Sequence, residues 1–195
     1  KHYTPPELCP EMAAYTIFVD AISKSLCATG LRVGWAVAPP YVMSRMRDIL
    51  GHVGAWAPRP EQIATAAILK DADSLSSFQV AMNREVEQRL SLLYEGIRTL
   101  QAAGLPVRAI PPQGAIYLSA QFDLRGRKLP DGTVVTTNEQ VRNYLLHAAG
   151  MAVVPFQAFG MRAETGWMRL SVGAVSLADI TALLPRLREA LTAVS

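Results

Sequence analysis

The sequence has few cysteines, no long hydrophobic run and no block of basic residues. Two cysteines, Cys9 and Cys27, are too few for a disulfide framework and indicate a reducing setting. The longest apolar run, residues 151–156, has the length of a strand and is far shorter than the roughly 20 residues of a membrane span. The first residues lack the basic, apolar and small-residue pattern of a signal peptide. We therefore expect a cytoplasmic protein without membrane attachment.

Several classes of site are also missing from the sequence. Nineteen Lys and Arg against 16 Asp and Glu give a net charge of +3, which is too small to predict nucleic-acid binding. The histidines His2, His52 and His147 show no metal-ligand spacing with Cys, Asp or Glu, so we expect no metal. A Gly-x-Ser-x-Gly nucleophile elbow does not occur, which argues against a serine hydrolase.

The composition is that of a folded globular protein. Hydrophobic residues make up 50% of the sequence and charged residues 18%, which excludes a disordered chain. A length of 195 residues corresponds to one large domain, or one and a half. The first residue is Lys rather than Met, so we expect the chain to begin part-way through a longer protein.

The first third of the chain alternates predicted strands and helices. Two continuous apolar runs, residues 15–20 and 33–38, are typical of buried strands in a parallel sheet, with a loop over 21–32 between them. The double proline Pro39-Pro40 predicts the start of a helix over 41–50, with Gly51 as its terminator. Pro60 opens a second helix, over 61–70.

A long amphipathic helix follows. Asp73 or Ser74 caps its start, and Gly104 ends it after Ala103. Its apolar side chains recur in steps of three and four, which places them on one stripe. At 1.5 Å per residue the helix is about 40 Å long, enough to join two domains. The stripe consists of Phe78, Met82, Val86, Leu90, Leu93, Ile97 and Leu100.

The last part of the chain mixes short strands with two capped helices. Strands are predicted at 106–110, 115–120, 152–155 and 167–172. Thr137 and Gln140 form a capping box for a helix that ends before Gly150. Ser176 caps a final helix in which Pro185 predicts a kink or a late start. We expect an α/β protein with three parts: residues 1–73, a connecting helix over 74–103, and a small α+β domain over 104–195.

One loop carries residues suited to a specific chemistry. Lys24 lies four positions after Asp20, at the end of a predicted strand, and Gly30 and Arg32 precede the next strand. A lysine beside apolar strands loses its proton more easily than a surface lysine, and its neutral amine can form a Schiff base with an aldehyde. The guanidinium of Arg32 suits a phosphate. The alternative is a solvated lysine and a surface arginine.

The same loop resembles the cofactor-lysine signature of the class I/II aminotransferases, Ser-x-Ser-Lys, five residues, then Gly-x-Arg-x-Gly. These are fold-type I enzymes that use pyridoxal 5'-phosphate. The resemblance implies that Lys24 is the Schiff-base lysine, that the hydroxyl of Ser23 lies near it, and that Arg32 binds the cofactor phosphate. It also implies a mostly parallel sheet in the large domain.

The resemblance extends through most of the chain. Pro39-Pro40, the helix after Pro60 and the segment 113–118 occur in the family's order. The strand 167–171 is similar to the family's Arg-[Ile/Leu]-Ser strand, which implies that Arg169 binds the substrate α-carboxylate. The alternative role of Arg169 is an ion pair at a strand edge. Tyr117 is interpreted as a core aromatic, and Phe159 as a residue of the substrate pocket.

Three departures from the family pattern limit the match. Ala21 occupies a position where the family often has a phosphate-binding serine. The family's Asn-Pro-x-x-Pro-Thr-Gly and Asp-x-x-Tyr segments, and its phosphate-capping turn, would lie before residue 1. The chain therefore resembles the C-terminal portion of an aminotransferase, and we expect the missing N-terminal part of the same protein to complete the cofactor site.

The resemblance implies transfer of an amino group between an amino acid and a 2-oxo acid, in a homodimer. Two alternatives stay open. A lyase, eliminating or cyclising enzyme on the same scaffold would have the same Lys24, Arg32 and Arg169. The aminotransferase-like sensor domain of a transcriptional regulator would require a DNA-binding module upstream, and only in that case do we expect nucleic acid as a partner.

Overall fold

The structure is a computed structural model that describes residues 3–195, and it divides into two compact units between Ala81 and Met82. The division falls inside the longest helix, which runs from Ala72 to Ala102. The α/β class expected from the sequence is confirmed. His2 lies outside the described residues.

The first unit contains two strands and four complete helices among its described residues. Its α-helices are α1 (Pro5–Leu8), α2 (Ile22–Ser25), α3 (Pro40–Val53) and α4 (Arg59–Lys70), and its strands are β1 (Phe18–Ala21) and β2 (Gly34–Val37). Two 3-10 helices, Pro10–Tyr15 and Thr29–Leu31, complete it before the long helix α5 (Ala72–Ala102) begins. The region expected as a loop between the strands thus contains α2 and a 3-10 turn.

Strands β1 and β2 pair with each other in antiparallel fashion. Phe18 lies opposite Val37, and Ala21 lies opposite Gly34. The expectation of parallel strands is wrong for this pair. Among residues 3–195 little packs on the two strands, and Val19 is 71% exposed and Val37 62%. After β1 the chain forms two short helical turns and returns to the C-terminal end of that strand, where Gly34 pairs with Ala21. Because β2 starts at the end of β1, it runs in the opposite direction.

Helix α3 continues beyond the glycine expected to end it. Its first residues are as predicted, with Pro39 as the N-cap and Pro40 at the first helical position. Gly51 lies within the helix, which ends at Gly54 with φ +68°. A glycine inside a helix costs only about 1 kcal/mol, whereas a left-handed residue ends the helix outright. Termination at Gly51 was therefore wrong.

The second unit is a four-stranded antiparallel sheet with helices packed on one face. Its strands are β3 (Val107–Ala109), β4 (Tyr117–Phe122), β5 (Val154–Pro155) and β6 (Trp167–Ser171), in the spatial order β3-β4-β6-β5. Its helices are the C-terminal part of α5, α6 (Asn138–Ala149) and α7 (Leu177–Thr192), with a 3-10 turn at Phe156–Phe159.

Side chains along β4 and β6 alternate between a buried and a half-buried face. Leu118 and Leu170 lie opposite each other in the buried core, as do Ala120 and Met168. The core continues into α5, whose buried residues are Leu90, Leu93, Ile97 and Leu100. These four belong to the predicted stripe, whereas Phe78 at the start of the helix is 43% exposed.

Both predicted helix caps in this unit are present. Thr137 and Gln140 form the capping box of α6, and Gly150 ends that helix with φ +68°. Ser176 and Asp179 form a capping box at the start of α7. Helix α7 begins at Leu177 and contains Pro185, so a late helix start is excluded. None of the helices in residues 3–195 combines the length and hydropathy that a membrane crossing requires.

Candidate active site

Lys24 and Arg32 lie in one closed connection between β1 and β2. Lys24 is in α2, and Arg32 follows the 3-10 turn Thr29–Leu31. The backbone N–H of Ile22 donates to the carbonyl of Val33 at 3.3 Å, and the N–H of Ala28 donates to the carbonyl of Ile22 at the same distance. These bonds join the beginning, middle and end of the connection, so both side chains are carried on one folded loop.

The backbone of this connection is strained at two positions. Cys27 has φ 52° and Arg32 has φ 56°, values that cost a non-glycine residue about 1 kcal/mol or more. Within residues 3–195, Ala115 (φ 58°) is the one other non-glycine residue with positive φ. All three belong to the segments that carry the family resemblance. Such strain clusters at functional sites in proteins.

The two glycines of the Gly-x-Arg-x-Gly pattern have different surroundings. A Cβ on Gly34 would lie 3.1 Å from the carbonyl oxygen of Asp20 and 3.2 Å from Cβ of Ala21, so a side chain there would push β1 and β2 apart. A Cβ on Gly30 would meet no described atom within 4 Å. Packing therefore explains Gly34, and the described residues give no steric reason for Gly30.

The proposed cofactor residues differ in exposure. Lys24 is exposed and Ser23 is half-buried. Arg32 is exposed, and its Nη1 donates to the carbonyl of Thr29 at 3.1 Å, which orients the guanidinium along its own loop. The expectation that apolar strands desolvate Lys24 does not hold within the described residues, because β1 and β2 are themselves largely exposed.

A cavity of about 520 Å³ adjoins Arg32 in the first unit. It is bordered by both tryptophans of this unit, Trp35 and Trp56, and by Gln62, whose Nε2 donates to the carbonyl of Ala57 at 2.6 Å. Lys24 is not among the lining residues. The sequence around Trp56 does not decide between a residue of the site and a packed core residue. Trp56 is 56% exposed and shares this cavity with Arg32.

Arg169 lies on the half-buried face of the sheet in the second unit, between two aromatic rings. Its guanidinium carbon Cζ is 4.3 Å from the ring centre of Tyr117 and 4.5 Å from that of Phe159. These are favourable cation–π distances. The interpretation of Tyr117 as a core residue was wrong. The alternation along β4 places Leu118 in the core and Tyr117 on the opposite face, and that alternation is visible in the sequence.

Arg169 has no anionic partner among residues 3–195. The ion pairs of the described residues join Arg89 to Glu85, Arg98 to Glu95 and Arg142 to Glu139, each within one helix. The Nε–H of Arg169 is buried and donates to no hydrogen-bond acceptor in residues 3–195. The alternative of a strand-edge ion pair is therefore not observed. A stacked, unpaired guanidinium can bind a carboxylate through two parallel hydrogen bonds.

The aromatic contacts continue across the same face. Phe159 packs edge-on against Phe156, with ring centres 6.1 Å apart, and Phe156 lies 6.2 Å from Trp167. Arg108 then covers Trp167 at 5.5 Å. The sequence analysis did not predict the contact between Arg108 and Trp167, although their alternation with buried neighbours in β3 and β6 indicated this face.

Comparison with known proteins identifies the family. The model of the family "Aminotransferase class I and II" matches residues 4–187. An aspartate aminotransferase of Geobacillus stearothermophilus is 30% identical over 160 residues, which is 82% of this chain and 38% of that protein. A probable aspartate/prephenate aminotransferase of Thermus aquaticus is 32% identical over 163 residues, which is again 82% of this chain and 38% of that protein.

Solved structures agree with this match. The crystal structure of the aspartate aminotransferase from Rhizobium meliloti superposes with a TM-score of 0.84 at 26% identity, over 100% of this chain and 46% of that one. The aromatic aminotransferase from Pyrococcus horikoshii gives a TM-score of 0.79 at 28% identity, over 98% of this chain and 47% of that one.

The chain belongs to the class I and II aminotransferases, a pyridoxal-phosphate-dependent family. It spans less than half the length of the relatives it matches.

Proposed function

We propose that the protein containing this chain is a pyridoxal-phosphate-dependent aminotransferase that moves an amino group between an amino acid and a 2-oxo acid. The observation that carries the proposal is the closed β1–β2 connection, which holds Lys24 and Arg32 together in a chain that matches the family over residues 4–187. The unpaired guanidinium of Arg169 supports it independently, since it suits a substrate carboxylate.

The residues of the connection fit the cofactor. Lys24 is exposed, so its Nζ is free to carry the cofactor as a Schiff base. Arg32 provides a cationic fork beside a cavity of about 520 Å³, and the open space at Gly30 leaves room for a bound group. When bound, pyridoxal phosphate supplies an aldehyde that condenses with amines and a ring that accepts electrons from the substrate carbon.

Each residue then has a separate task. The Nζ of Lys24, once free, would take the proton from the substrate Cα as general base and, as general acid, deliver it to the former aldehyde carbon of the cofactor. The guanidinium of Arg32 neutralises the phosphate, with Ser23 as a hydroxyl nearby. Arg169 orients the α-carboxylate, and Tyr117 and Phe159 support its guanidinium through cation–π contacts.

This chain does not supply the whole site. The exposed apolar side chains on β1 and β2, such as Val19 and Val37, are surfaces that a longer protein would cover. We propose that the N-terminal remainder of the same protein covers them and completes the cofactor site, and that the enzyme acts as a homodimer. The sequence contains only two cysteines, Cys9 and Cys27, which supports a cytoplasmic location for the proposed enzyme.

The direct test of the cofactor role is Lys24→Ala in the full-length protein loaded with pyridoxal phosphate. We expect loss of the imine absorbance band and of amino transfer from an amino acid to a 2-oxo acid. Lys70→Ala is the matched control, because Lys70 is also an exposed lysine and lies in α4 of the same unit. An imine band that survives in Lys24→Ala would overturn the assignment. Product analysis separates transamination from elimination or cyclisation.

The substrate role of Arg169 has its own test. Arg169→Lys keeps the charge but removes the planar fork, so we expect KM for the amino acid to rise about 10- to 100-fold, from the loss of a charged hydrogen bond of about 1.5–3 kcal/mol. Arg108→Lys, on the same sheet face, is the control and should change KM little. An unchanged KM in Arg169→Lys would contradict carboxylate binding at this residue.

A further inference from the structure

The segment 156–166 carries Phe159, and a buried asparagine from another element holds both of its ends. Asn138, the first residue of α6, is 3% exposed. Its Oδ1 accepts a hydrogen bond from the backbone N–H of Gly166 at 2.8 Å, at one end of the segment. Its Nδ2 donates to Oε1 of Gln157 at 2.8 Å, near the other end.

Glu164 closes this arrangement into a ring. Its Oε2 accepts from the backbone N–H of Asn138 and from Nε2 of Gln157, the latter at 3.1 Å. Gln157 also donates to the carbonyl of Ala163 at 3.0 Å. A carboxylate at the first N–H of a helix is stabilised by the helix dipole. Gln157 therefore binds both the Asn138 side chain and the Glu164 carboxylate, and Glu164 closes the ring on the backbone N–H of Asn138, so the segment is tied to the start of α6.

Phe159 depends on this ring for its position. Its side chain is 53% exposed, so core packing does not hold it. The rings and cations in contact with it within residues 3–195 are Phe156, which directly precedes Gln157, and the Arg169 guanidinium. The placement of Phe159 over Arg169 is thus set by the path of the segment, which Asn138 and its two partners define.

We propose that Asn138, together with Gln157 and Glu164, positions the substrate-carboxylate site by holding Phe159 against Arg169. The inference rests on the proposed function, because it assigns to these residues the orientation of the group that binds the substrate. Asn138 acts through Phe159 and does not itself touch the substrate, so it is a positioning residue.

The test uses Asn138→Ala in the full-length protein with its cofactor. We expect KM for the amino acid to rise about 3- to 30-fold, the range that corresponds to losing a cation–π contact, with kcat changed less than about twofold. The matched control is Asn143→Ala, because Asn143 is an exposed asparagine on the same helix, and its Oδ1 accepts a hydrogen bond from Arg142 at 3.2 Å rather than from segment 156–166. Asn143→Ala should leave both constants unchanged.

A double-mutant cycle shows whether Asn138 acts through Phe159. If it does, the KM of the Asn138→Ala/Phe159→Ala double variant equals that of Phe159→Ala alone. Independent, multiplying effects on KM would overturn the proposal, as would an unchanged KM in Asn138→Ala. If Asn138→Ala does not fold, Gln157→Ala replaces it in the same cycle, since Gln157 lies outside the core.

A spectroscopic measurement checks the same claim without catalysis. The guanidinium carbon of Arg169 lies over the rings of Tyr117 and Phe159, so we expect ring currents to shift the NMR signal of the adjoining Nε–H proton upfield. We expect that shift to shrink in Asn138→Ala and to persist in Asn143→Ala; a persistent shift in both would refute the positioning role. Failure of the proposed function has a different signature, an unchanged KM in Arg169→Lys.

Discussion

Replacing Gly166 with alanine tests the junction between the segment that carries Phe159 and strand β6. Gly166 is buried and has φ +74°, and its carbonyl accepts a hydrogen bond from the N–H of Phe122 at 2.9 Å. A Cβ on Gly166 would lie 2.2 Å from the carbonyl oxygen of Phe122. Phe122 is fully buried, so its backbone cannot move without disturbing the core.

Two costs add in Gly166→Ala. A left-handed backbone costs an alanine about 1–2 kcal/mol. Relief of the contact with Phe122 adds about 1–3 kcal/mol, as is typical of overpacking. We therefore expect the free energy of unfolding to fall by about 2–5 kcal/mol, measured by urea denaturation. In a chain of this size each kcal/mol lowers Tm by about 2–4 °C.

Gly126→Ala separates the two costs. Gly126 has nearly the same backbone angle, φ +80°, but a Cβ there would meet nothing within 4 Å. The free energy of unfolding of Gly126→Ala should therefore fall only by the backbone cost of about 1–2 kcal/mol. Equal losses of stability in the two variants would refute the close approach of Gly166 to β4, and with it the described path of segment 156–166.

Two further predictions concern the dependence of stability on pH, measured by urea denaturation across a pH series. Burial raises the pKa of Tyr144, whose hydroxyl donates to the carbonyl of Ala190 at 2.6 Å, so the contribution of this hydroxyl to stability is present below about pH 10 and is lost at higher pH. The free energy of unfolding of Tyr144→Phe should therefore be lower by about 0.5–1.5 kcal/mol at neutral pH, and it should decrease less at alkaline pH than that of the unsubstituted protein. Hydrogen bonds from the backbone and hydroxyl of Ser176 lower the pKa of Asp179 below its usual 3.8. The contribution of this carboxylate to stability is present above pH 3.8 and is lost as the pH falls through the lower pKa of the folded state. The free energy of unfolding of Asp179→Asn should therefore decrease less at acid pH than that of the unsubstituted protein. An unaltered pH profile in either variant would contradict its prediction.

Local signals in the sequence predicted the features that depend on a few neighbouring residues. The capping boxes at Thr137 and Ser176 and the left-handed Gly150 require only residues within one turn, and each is present. The long helix followed from apolar spacing, and its buried residues in the second unit are those of the stripe. The recognition of the family came from Lys24, Arg32 and Arg169 in order along the chain, and the family match confirms it.

Features that depend on distant residues were not predictable in the same way. An apolar run such as 15–20 shows that a strand prefers burial, but its partner and direction depend on how the chain folds back. The ring around Asn138 joins residues 19 to 28 positions apart, and no local pattern marks it. Tyr117 is the exception, because the alternation of Leu118, Ala120 and Phe122 with their neighbours in the sequence already indicates that Tyr117 lies on the face opposite the core.

The central claim is that Lys24 carries the cofactor. The most direct measurement is borohydride reduction of the full-length protein loaded with pyridoxal phosphate, followed by digestion and mass spectrometry to find the modified lysine. We predict a single stable adduct on the peptide that contains Lys24. An adduct on Lys70 or Lys128 instead, or no adduct at all, would contradict the account.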